Sequence, residues 1–150
     1  MILGIDHVGL LTDDLPKAGT YLAAMGLDKV EAGVAEQYGV ACEFWQLSPD
    51  PAAFAIELVA PVREDAVVSS RLKRNGPGLY HIALEVDDIV GELERLRQSG
   101  FVQVDQEPCA GAREGMQVAF MFLGKPVGMM VELVKYDAPR RSAQDTSSVS

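Results

Sequence analysis

Cysteine and basic side chains are scarce in this sequence, and each scarcity removes a class of function. Cysteine occurs at Cys42 and Cys109 only, and neither sits in a Cys-x-x-Cys or other zinc-type spacing. A thiolate zinc ribbon is excluded, and both thiols read as small buried hydrophobes of a reducing compartment. Lys and Arg number 13 against 22 Asp and Glu, a formal net charge of -9. A phosphate backbone needs a basic footprint, so no nucleic-acid partner is expected. No apolar run approaches the roughly 20 residues of a membrane span. The opening MILGIDHV has no basic segment ahead of an apolar one, so no signal peptide is expected and the chain reads as cytoplasmic.

What is there suits a globular domain. The chain has 150 residues, 48% hydrophobic and 23% charged, enough for a proper core. It also repeats itself. A slide of 74 residues lays IDHVGLLTDDLPKAGTYLAAMGL, from Ile5, on LYHIALEVDDIVGELERLRQSGF, from Leu79. His7 falls on His81, Asp13 and Asp14 on Asp87 and Asp88, Leu22 on Leu96, and Gly26 on Gly100. A slide of 75 lays IELV, Ile56 to Val59, on VELV, Val131 to Val134, and pairs Glu57 with Glu132.

Each copy predicts the same elements. IDHVGLL and YHIALEV have strand character. The Asp pair that follows can cap a helix. Leu15, Ala18, Leu22 and Met25 mark one helical face, matched by Ile89, Leu93 and Leu96. Gly26 and Gly100 can end these helices in the left-handed conformation. Three strands are expected after each helix, near 28–34, 40–47 and 53–59, then near 102–107, 117–123 and 128–135. The fold class is therefore α+β: two tandem βαβββ modules, about 1–62 and 78–136, in a single domain over 1–136. The linker 63–77 has room for a short helix before Asn75-Gly76-Pro77-Gly78. The polar tail 137–150 is expected to be largely disordered.

The two histidines share one place in the repeat, and Glu57 and Glu132 share another. A lone glutamate on a strand more often faces solvent, and a lone histidine is more often a core residue. Four together read differently. Matching positions of two copies related by an approximate two-fold converge near the axis. Two imidazoles and two carboxylates suit Zn, Mn, Fe, Co or Ni, with positions left for substrate oxygens.

These residues carry a resemblance. The chain resembles the vicinal oxygen chelate (glyoxalase/bleomycin resistance/dioxygenase) superfamily from about Ile5 to Tyr136, and within it most the methylmalonyl-CoA epimerases. The most specific stretch is RNGPGLYHIALEVDDI, Arg74 to Ile89; IDHVGL, GAREGMQVAF and VELVKY are similar too. The resemblance implies a sheet curled around a divalent metal held by His7, Glu57, His81 and Glu132. It implies an epimerase that inverts the 2-position of a methylmalonyl-CoA-like thioester through a metal-stabilised enolate. Glu43, by its spacing from His7, and Glu132 are the acid/base candidates it points to. Tyr38 reads as an insertion ahead of Glu43. Tyr80, Trp45 and the Phe122-Leu123-Gly124-Lys125 turn depart from the family pattern around the substrate cup. An acyl-CoA substrate and a homodimer are the implied partners. The alternatives are a glyoxalase-type lyase or isomerase on a smaller thiol adduct, an extradiol-type dioxygenase, and a binding protein without catalysis. Glu57 as a fourth protein ligand argues against the dioxygenase.

Overall fold

The computed structural model describes residues 1–143. Its first module comprises β1 (Ile2–Leu11), α1 (Leu15–Ala24), β2 (Asp28–Ala35), β3 (Val40–Gln46) and β4 (Ala55–Pro61). After α2 (Ser69–Asn75), the second module comprises β5 (Gly78–Val86), α3 (Ile89–Gln98), β6 (Val102–Gln103), β7 (Cys109–Ala110), β8 (Met116–Leu123) and β9 (Met129–Tyr136). The helix starts follow the repeated aspartates. Asp14 accepts from Lys17 N at 3.0 Å, and Asp88 accepts from Gly91 N at 3.0 Å. Gly26 and Gly100 end the helices at φ of 95° and 99°. Met25 does not share the buried helical face assigned to it. It caps the helix and is exposed, whereas Leu22 is buried.

One mixed sheet holds every strand, in the order β2-β3-β4-β1-β5-β9-β8-β6, with β7 on β8. The seam between modules is the antiparallel pair β1–β5. Parallel pairs flank it: β1 with β4, and β5 with β9. The register repeats as the sequence does. Gly9 lies beside Glu57 in the first module, and Ala83 beside Glu132 in the second. Phe44 lies opposite Glu57, and Phe120 opposite Glu132.

Strand alternation sends successive side chains to two faces. On the outer face Leu22 of α1 packs with Leu27, Trp45 and Leu58, and Leu93 and Leu96 of α3 pack with Met121 and Leu133. On the inner face the sheet curls over Val40, Cys42, Phe44, Val118 and Phe120. The curl nearly closes where β2 meets the loop before β8. A Cβ on Gly33 would stand 2.0 Å from the Ala112 carbonyl oxygen, so only glycine permits that approach.

The second module departs from the expected strand at 102–107. Val102 and Gln103 form regular strand pairs with β8, and Val104 N still donates to Phe120 O at 3.0 Å before the chain turns away. Asp105 turns inward instead, and its carboxylate accepts from the Tyr38 hydroxyl at 2.7 Å and from Phe120 N at 2.7 Å. The expectation of a disordered tail from 137 does not hold as far as the structure reaches. The segment 137–143 lies against the domain through Arg140 and Arg141, which pair with Glu31, Asp6 and Glu85. The remainder of that expectation, 144–150, lies outside the described residues.

Candidate metal centre

His7 and His81 reach the inner face from the two central strands. Gly9 stands opposite His81 across the seam, and Ala83 opposite His7. These small residues make room for the rings. A Cβ on Gly9 would fall 2.1 Å from His81 Cε1, inside any permitted contact. Phe44 packs edge-on against His7 at 5.5 Å between ring centroids, and Phe120 against His81 at 5.2 Å. The aromatic walls keep both imidazoles out of water.

The side chains of interest converge. The two Nε2 atoms face each other at 3.0 Å. Glu132 Oε1 lies 3.4 Å from His7 Nε2, and its Oε2 lies 3.7 Å from His81 Nε2. Glu57 Oε1 lies 3.6 Å from His7 Nε2 and 3.4 Å from His81 Nε2. His7, His81 and Glu132 each offer an atom within 4.8 Å of the others, and all three are buried. Among the described residues Glu132 Oε1 has no hydrogen-bond partner. Such a donor set, buried and with a carboxylate oxygen left without a partner among the described residues, fits a divalent cation of the nitrogen/oxygen-ligated kind.

Without a cation the site must hold protons. Burial disfavours an imidazolium at His7, but Glu57, Asp6 and Glu132 outweigh it and raise the pKa to about 10. Burial pushes Glu57 up to about 7, against the pull of the His7 charge. Burial also raises Glu132. His81 goes the other way, held well below its ordinary value by burial and by the His7 charge. One proton-bearing histidine therefore stands where a cation would.

Glu43 is not part of this centre. It pairs across the strands with Leu58, while Phe44 pairs with Glu57, so Glu43 and Glu57 project from opposite faces. Its carboxylate accepts from Trp45 Nε1 at 3.2 Å and faces Lys29 Nζ at 3.5 Å, on the side covered by α1. This corrects the expectation of an acid/base role at Glu43. The cup side of β3 presents Cys42 instead, a buried thiol whose pKa burial and Glu57 push upward.

An apolar cup opens beside the ligands. Tyr38, Cys42, Val68, Tyr80, Met116 and Val118 line it together with Glu57, His81 and Glu132. Tyr80 packs edge-on to His81 at 4.9 Å. Asp6, hydrogen-bonded to His7, sits in a buried polar network with Arg113, Tyr136 and Arg141. The sequence reading missed Asp6, Gly9, Ala83 and the Phe44–Phe120 pair. Gly9 with Ala83 obeys the same 74-residue offset as the histidines, whereas Asp6 falls on Tyr80, and Phe44 with Phe120, 76 residues apart, is paired by neither slide.

With this geometry in hand, comparison with known proteins is specific. The chain belongs to the glyoxalase/bleomycin resistance protein/dioxygenase superfamily, whose family model matches residues 6–120. It is 32% identical over 136 residues to the ethylmalonyl-CoA/methylmalonyl-CoA epimerase of Cereibacter sphaeroides, covering 89% of this chain and 98% of that protein. It is 29% identical over 131 residues to the human mitochondrial methylmalonyl-CoA epimerase, covering 86% of this chain and 72% of that one. Among solved structures, a variant of Streptomyces coelicolor methylmalonyl-CoA epimerase in complex with 2-nitronate-propionyl-CoA superimposes with a TM-score of 0.81 at 29% identity, covering 92% of this chain and 100% of that one. The Mycobacterium tuberculosis methylmalonyl-CoA epimerase gives 0.79 at 27% identity, covering 93% of this chain and 91% of that one.

Proposed function

We propose that the protein is a metal-dependent epimerase acting on the 2-position of a methylmalonyl-CoA-like acyl thioester. The observation that carries this is the convergence of His7, His81, Glu57 and Glu132 at the base of an apolar cup, on a fold shared with methylmalonyl-CoA epimerases. These four side chains are assigned as ligands. The cation they would hold, one of Co, Mn, Zn, Ni or Fe, supplies Lewis acidity to a thioester carbonyl and so acidifies the neighbouring C–H.

The remaining work belongs to side chains. The aromatic walls and Val68, Met116 and Val118 exclude water and hold a small acyl head. Inversion needs proton carriers on both faces of the reacting carbon. Glu132 is assigned to one face. On the β3 side the cup offers the Cys42 thiol rather than Glu43, and Cys42 takes the second assignment. The acyl-CoA carrier, a homodimeric assembly and a cytoplasmic location belong to the same proposal. No helix among the described residues is long and apolar enough to cross a membrane.

The test is α-proton exchange. Metal-loaded protein is incubated with racemic methylmalonyl-CoA in deuterated water, and deuterium at the 2-position is followed by NMR. Exchange with inversion is expected. Absence of exchange, together with turnover of a hemithioacetal, would replace this reading with the glyoxalase-type lyase.

A further inference from the structure

Asp6 and His7 are neighbours, and a regular strand would send them to opposite faces. A register shift between Ile5 and His7 in the β1–β5 pairing breaks that alternation. Both side chains are buried. His7 Nδ1–H donates to Asp6 Oδ2 at 2.7 Å. The same oxygen accepts from Arg113 Nη1 at 3.2 Å and from the Tyr136 hydroxyl at 3.0 Å. The other oxygen, Oδ1, accepts from Arg141 Nη1 at 2.6 Å.

Arg141 reaches this point from the segment after β9. Its Nη2 donates to the Ala53 carbonyl at 3.1 Å, and its Nη1 to Glu85 Oε1 at 3.5 Å. Gly4 clears its path, since a Cβ there would stand 3.0 Å from Arg141 Cδ. The second module has no such arrangement. The residue equivalent to Asp6 is Tyr80, and among the described residues His81 Nδ1 has no hydrogen-bond partner. The Nδ1 side of His7 is held by a charged chain that runs into the segment after β9, whereas the Nδ1 side of His81 meets only packing among the described residues.

We propose that Asp6 is a positioning residue, fixed by Arg113 and Arg141, that sets the tautomer and ring orientation of His7, so that the C-terminal segment governs how tightly the centre holds its cation. The inference rests on the metal-centre reading above. Its physical basis is simple. An imidazole whose Nδ1–H is pinned to a carboxylate presents its Nε2 lone pair and no other, with raised basicity. Arg141 holds Oδ1 and prevents the carboxylate from rotating away from the ring. Losing an outer partner of this kind typically weakens a metal site by roughly 10–100-fold.

The experiment measures zinc affinity of the full chain by competition with a chromophoric chelator, beside thermal melting of each metal-free protein. Arg141→Ala is expected to weaken zinc about 10-fold, and Asp6→Asn by up to about 100-fold. Arg140→Ala is the control. Arg140 lies in the same segment, but its guanidinium pairs with Glu31 and not with Asp6. It should lower melting while costing clearly less zinc affinity than Arg141→Ala, because it reaches Asp6 only indirectly, through Glu31 and the Tyr136 ring. A nitrogen-15 correlation spectrum of the zinc-loaded protein should show His7 protonated on Nδ1, with that proton lost or rapidly exchanging in Asp6→Asn. Wild-type zinc affinity retained in both Arg141→Ala and Asp6→Asn overturns the proposal and leaves the metal centre standing. An equal loss in Arg140→Ala also overturns it, because docking of the segment would then explain the effect. Wild-type protein that binds no zinc, cobalt or manganese removes the metal centre and this proposal together.

Discussion

At the residue scale the centre depends as much on atoms that are missing as on ligands. The two histidines need space on the facing strand, and Gly9 and Ala83 supply it at repeat-equivalent positions. The four candidate ligands were legible because each bears chemistry and each pair repeats. Gly9 and Ala83 repeat equally well, but a small side chain announces nothing until its neighbour is known. Asp6 was illegible for the opposite reason: it bears chemistry but has no repeat partner, since Tyr80 stands in its place. A prediction follows from the 2.1 Å clash of a Gly9 Cβ with the His81 ring. Gly9→Ala should displace His81, destabilise the fold by about 1–3 kcal/mol and lower zinc affinity at least 100-fold. Chelator competition and melting together check it. Unchanged affinity would show that His81 is not a ligand.

At the element scale the decisive quantity is strand register. Alternation has a period of two, so a single inserted residue carries every following side chain to the other face. Tyr38, read as an inserted residue against the family pattern, would have this effect. It sits in the turn between β2 and β3, with Gly39 at a φ of 69° completing the reversal. Spacing from His7 therefore reached the right strand and the wrong face, landing on Glu43 where the cup presents Cys42. Hydrophobic pattern could not correct it, because β3 is apolar on both sides: Phe44 faces the centre and Trp45 faces α1. The expected consequence is asymmetric. Glu43→Gln should leave α-proton exchange within about 2-fold of wild type, whereas Cys42→Ala should lower it by about 100-fold, the usual scale of a lost proton carrier. Deuterium incorporation measured at saturating substrate decides between them. The reverse ranking would return the acid/base role to Glu43. Helix starts were read with less difficulty, since a cap is a local interaction. Asp88→Ala should cost about 1 kcal/mol in a denaturant titration, by releasing Gly91 N.

At the scale of the whole molecule, the centre joins the two modules, and its protonation is tied to the stability of the fold. The tail reading failed here, because composition marks Arg140 and Arg141 as solvent-exposed while their partners Glu31, Glu85 and Asp6 are scattered along the chain. The pH dependence of the metal-free protein follows from the directions of its buried groups. Between the ordinary carboxylate range and about pH 7, Glu57 and His81 act against each other. Glu57, raised to about 7, favours the fold at lower pH. His81, depressed by burial, favours it at higher pH. Above about pH 7 only His7 remains of the three. Its folded pKa of about 10 lies above its ordinary 6.5, so the folded state binds the extra proton. The stability it contributes is fully present below 6.5 and is lost as the pH rises through about 10. The melting temperature of metal-free protein should therefore fall between pH 7 and 10. A bound cation replaces that proton and needs His7 neutral, so the loaded protein should lose much less over the same interval. The gap between the two melting curves should widen with pH. A constant gap would mean that cation and proton do not compete for His7, and that the four side chains are packed together for some purpose other than holding a metal.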